Sequence, residues 1–77
     1  GNWFENSMRM IFKMNLDELK DEKGEVEKMD IVRKMGIIVS RSEFDEDSKL
    51  LLMNMFSVMI ENEFPLGLYG KKIRKNG

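Results

Sequence analysis

The 77 residues predict a compact all-α domain of three helices, with the third central and strongly apolar. Apolar residues recur at helical spacing in three segments, and Gly24, Gly36 and Pro65 fall where those segments end. The third segment contains LLLMNMFSVMI at 50–60, where only Asn54 and Ser57 are polar. A chain of this length makes one domain, expected over 1–70, followed by a basic, flexible tail at 71–77.

The first helix is expected over 3–22. Phe4, Met8, Ile11, Phe12, Leu16 and Leu19 share one face, and Trp3, Met10 and Met14 form a second, thinner stripe. A strand at 8–14 competes, because Met8, Met10, Phe12 and Met14 also alternate, but the helical period continues to Leu19. Gly24 is expected to end this helix and Val26, Met29, Val32 or Arg33, and Met35 to define a second over 25–35, capped by Gly36. The β-branched run Ile37, Ile38, Val39 then reads as a short strand at 37–40 or an apolar connection. With those strands the alternative class is a small α+β fold.

The third helix is expected over 43–63. Ser40 stands three residues before Glu43 and Ser42 three before Asp45, both capping-box spacings, and Pro65 ends the segment. Advancing about 100° per residue places its apolar side chains in an arc of roughly 220°, about twice what one packing face uses. The surplus needs a second cover, from this chain or from a partner.

Composition removes several chemistries. Without cysteine there are no disulfides and no thiolate metal sites, and without histidine the commonest general base and transition-metal ligand are missing. Residues 1–70 carry nine Lys/Arg against fourteen Asp/Glu, whereas 71–77, KKIRKNG, carry four cations, so the formal net charge of −1 conceals a basic end on an acidic body. The apolar run is too short for the roughly 20 residues that cross a bilayer. No secretory leader pattern opens the chain, so a soluble cytoplasmic protein is expected.

The acidic clusters do not match a calcium loop. With Gly24 as the sixth position, the first would be Leu19, the fifth Lys23 and the twelfth Asp30. A helix-turn-helix over 30–49 would open its recognition helix with EFDED, which phosphate repels. GKK at 70–72 lacks the first glycine and the hydroxyl of a phosphate loop, since Pro65 and Lys72 stand there. Ser48 beside Lys49 points away from it on a helix, and nothing predicts burial of Asp45 or Asp47. No catalytic residue, metal ligand or cofactor site is therefore expected.

The methionines remain: eight of them against seven leucines. Flexible thioethers fill cores and also suit adaptable binding surfaces. The expected function is a non-catalytic protein-interaction module, a small adaptor, regulator or inhibitor, docking through Leu52, Met55, Phe56, Met59 and Ile60 with help from Trp3, Met10 and Met14. Its partner is another protein or a second copy, as a homodimer. The alternative is a nucleic-acid-associated regulator that touches phosphate with Lys71, Lys72, Arg74 and Lys75.

Overall fold

A computed structural model describes residues 2–64 and the backbone of 72–74, and the architecture is all-α. Helix α1 spans Trp3–Leu19, strand β1 Glu25–Glu27, helix α2 Lys28–Arg41, helix α3 Glu46–Glu63 and strand β2 Lys72–Arg74. The two short strands pair antiparallel, with Glu25 opposite Arg74, Val26 opposite Ile73 and Glu27 opposite Lys72. No helix among the described residues is long and apolar enough to cross a membrane.

The start of α1 is set by Asn2, whose side-chain oxygen accepts the Glu5 N–H at 3.0 Å. Its end comes at Leu19, three residues before the expected one. Asp21 is the reason: its carboxylate accepts the N–H groups of Lys23 at 2.8 Å and Glu25 at 2.9 Å, a local bonding pattern that competes with helix. Gly24 adopts φ 78°, a left-handed conformation that closes this turn. It is thus a turn residue and not the terminus of α1.

The expected second helix is corrected at both ends. Residues 25–27 are strand, and α2 runs through Gly36 to Arg41, so Ile37, Ile38 and Val39 are helical. Residues 8–14 are helical as well, and neither strand of the α+β alternative forms. Burial overrides local preference here: Ile31, Met35 and Val39 lie four residues apart and all are buried, so continuing the helix past Gly36 carries Val39 into the core.

Capping of α3 also differs from expectation. The Ser40 and Ser42 hydroxyls donate to the carbonyls of Ile37 and Val39, closing α2 instead of opening α3. Asp45 serves as the N-cap, accepting the Ser48 N–H at 2.8 Å, and the helix starts at Glu46, not at 43. The Ser48 backbone and hydroxyl bonds hold the Asp45 carboxyl below its ordinary value of 3.8.

The core takes Phe12 and Leu16 from α1, Val26 from β1, and Ile31, Met35 and Val39 from α2. From the third helix and its end it takes Leu52, Phe56, Ile60 and Phe64. One cation is buried with them. Lys28, first residue of α2, places its ammonium 2.7 Å from the Glu61 carboxylate near the end of α3. The pair ties those two helix ends together, although the Glu61 side chain is itself 58% exposed.

Three measurements check this description. Gly36 is inside a helix and a Cβ there would meet nothing within 4 Å, so Gly36→Ala should stabilise by about 0.5–1 kcal/mol in urea unfolding. A glycine acting as a cap would give the opposite sign. For Lys28, Glu61→Ala should cost about 1–3 kcal/mol, while adding Lys28→Met should recover most of the loss. No loss of stability on Glu61→Ala would show that the pair contributes nothing.

The third concerns acid. Because the folded-state value of Asp45 lies below the unfolded one, its contribution is complete above the unfolded value and is lost as pH falls through the folded one. Asp45→Asn keeps an acceptor without the titration, so any stability gap in favour of the wild type near pH 6 should shrink or reverse near pH 2. A gap independent of pH would contradict the assignment of Asp45 as the titrating cap.

Candidate docking surface

The residues expected to dock do not share one surface. Leu52, Phe56 and Ile60 are 4%, 1% and 4% exposed, held among the chain's own side chains. That corrects their assignment to an interface: a partner could reach them only by opening the core. Met55 and Met59 are half-buried and line the edge of a groove. Trp3, Met10 and Met14 are exposed along the side of α1 that faces away from Phe12 and Leu16. The Trp3 ring meets the Phe4 ring edge to face at 5.9 Å, which holds it over the start of the helix.

The groove lies between α1 and α3 and has a volume of about 430 Å³. On the α1 side its lining follows one helical row, Glu5, Arg9 and then Phe12 with Lys13. On the α3 side Met55, Val58 and Met59 supply apolar surface, and Asn62 and Glu63 close one end. Val58 is 61% exposed, and Leu51, two turns earlier on the same side of α3, is 58% exposed. Together with Met55 between them, they form an apolar ridge along α3, of which Met55 and Val58 line the groove.

Rim electrostatics are balanced. Glu5 and Glu63 face Arg9 and Lys13 in number, and a Glu5 carboxylate oxygen lies 3.5 Å from the Arg9 guanidinium, one turn along the helix. Both of those side chains are about half exposed, so the pair positions charge more than it stabilises the fold. Chemically, the site can accept apolar side chains and orient them by a polar margin. It presents no nucleophile beside a base.

Leu51 and Val58 belong to the wide apolar arc of α3 but were not among the expected docking residues, and nothing in the sequence marked Glu5, Arg9, Lys13 or Glu63 as neighbours of that surface. The arc is buried along the row Leu52, Phe56, Ile60 and exposed at the edge that carries Leu51 and Val58, a division that the placement of α1 and α2 decides.

The basic segment is placed in part. Lys72 and Arg74 lie in β2, opposite Glu27 and Glu25 respectively, so two of its four cations are in register with acidic residues of the same chain. Lys71 and Lys75 lie outside the described residues. Among the described residues no group of three or more Asp or Glu side chains converges as a metal site would require. Compared with protein-family models, curated proteins and solved structures, the chain matches none.

Proposed function

We propose that this chain is a non-catalytic protein-interaction module, an adaptor, regulator or inhibitor that receives one apolar helix face in the groove between α1 and α3. The observation that carries the reading is the juxtaposition of a groove of about 430 Å³ with an exposed apolar ridge, Leu51 and Val58, on the same side of α3. Leaving water is worth about 1.5–3 kcal/mol for a fully buried side chain of this size, so the ridge supplies affinity. The half-buried thioethers of Met55 and Met59 adapt to the shape that enters. The mixed charges of the rim then select orientation and register, which is the usual contribution of polar margins.

Affinity on this reading is moderate. Association costs at least several kcal/mol of translational and rotational freedom, and a few apolar anchors offset it without a large surplus. A reversible contact is the natural outcome, which suits regulation better than permanent assembly.

Site-directed photo-cross-linking tests the proposal. A photoreactive residue at Val58 should yield a specific covalent adduct in an extract of the source cells, whereas one at Ser57, on the polar stripe of α3, should not. Equal labelling at both positions, or none at either, would overturn the reading.

A further inference from the structure

We infer that the thioethers of Met10, Met14 and Met29 are modification sites: each reduces one molecule of peroxide and takes up one oxygen, and the helical fold survives the change.

The reaction follows from which side chains can react unaided. A serine hydroxyl or a lysine ammonium must first lose a proton, and the chain has no histidine to take it. A thioether carries no such proton, so its sulfur lone pair is nucleophilic at any pH. With hydrogen peroxide, the lone pair attacks one oxygen, the O–O bond breaks, and the other oxygen leaves as water with the proton of the first. Sulfur is oxidised by two electrons and the peroxide is reduced by two. The product is methionine sulfoxide, polar where the thioether was apolar. No thiol competes for the oxidant, because cysteine is absent.

Burial sorts the eight methionines. Met10, Met14 and Met29 are 63%, 57% and 47% exposed, whereas Met35 is 0% exposed. Met8, Met53, Met55 and Met59 are half-buried, and three of these, Met8, Met53 and Met59, pack against the core. Peroxide meets the exposed group directly from water, but it meets Met35 only when the structure opens. The structural cost follows the same order. A sulfoxide oxygen at an exposed position stays hydrated, while at Met35 it would enter the apolar cluster of Ile31, Val39 and Phe56.

Placement gives the reaction a consequence. Met10 and Met14 stand one turn apart on α1, on the side that also carries the exposed Trp3. Oxidation leaves Trp3 as the one apolar member of those three. Exposed apolar surface is thus exchanged for polar surface while the core row of α1, Phe12 and Leu16, is untouched.

Hydrogen peroxide treatment of the purified full chain, followed by peptide mass mapping, tests this. Met10, Met14 and Met29 should each gain one oxygen at least about tenfold faster than Met35, and in denaturant the difference should vanish. The chain with three oxygens should keep its circular-dichroism melt and elute earlier from a hydrophobic-interaction column. Methionine sulfoxide reductases for both epimers, supplied with a dithiol, should restore the original retention. Replacing all three, as Met10→Leu, Met14→Leu and Met29→Leu, should abolish the early shift.

Equal rates at the exposed and buried methionines of the folded chain would overturn the inference. So would a lowered melt of the three-oxygen chain, or an early shift that persists in the triple variant.

Discussion

The fold depends on one geometric economy: each helix buries a single row of every fourth residue. On α2 the row is Ile31, Met35, Val39, and on α3 it is Leu52, Phe56, Ile60, continued by Phe64. On α1 Phe4 and Met8 pack partly against the core and Phe12 and Leu16 complete the row. A step of four residues advances the contact by about 40° around the helix, so such rows wind obliquely and interlock as ridges in grooves. These side chains are the principal source of stability in a domain that has neither a disulfide nor a metal cluster among its described residues. Taken up by the chain's own core, they are closed to any partner while the fold is intact.

Much of this was legible from residues alone, and the misreadings have local causes. The all-α class, the core face of α1 and the end of α3 follow from helical periodicity and Pro65. The first turn was misplaced because Asp21, not Gly24, organises it: a carboxylate that captures two backbone N–H groups stops a helix as firmly as a glycine does. The second helix was cut short because Gly36 resembles a cap and Ile37 to Val39 resemble a strand. Only the burial of Val39 reveals that the row continues. Such a row spans separate segments of sequence and has no short-range signature.

The site was legible in composition and misread in position. The wide apolar arc of α3 did indicate more apolar surface than one packing face consumes, and Leu51 and Val58 are that excess. Of the expected set Leu52, Met55, Phe56, Met59 and Ile60, the row Leu52, Phe56, Ile60 is buried, while Leu51 and Val58, no less apolar, are exposed, so apolarity alone does not separate core from surface. Lys28 was invisible for the reverse reason. A lysine in a charged run predicts exposure, and its burial arises from Glu61, 33 residues away in sequence. The rim charges acquire meaning only once α1 is placed beside α3.

The pairing of β1 with β2 also bears on how the chain is made. The strands are separated by residues 28–71, so Glu25–Glu27 is synthesised well before its partner exists. At about 5–20 residues per second that interval lasts roughly 2–9 s, during which α2 and α3 are synthesised while β1 has no partner strand. Closing so long a loop is the entropically slow step of a chain otherwise dominated by local helical contacts. The turn after α1 therefore receives its second strand only after all three helices have been translated. Helix assembly and strand closure should thus be separable in time, with the acidic edge waiting for the basic one.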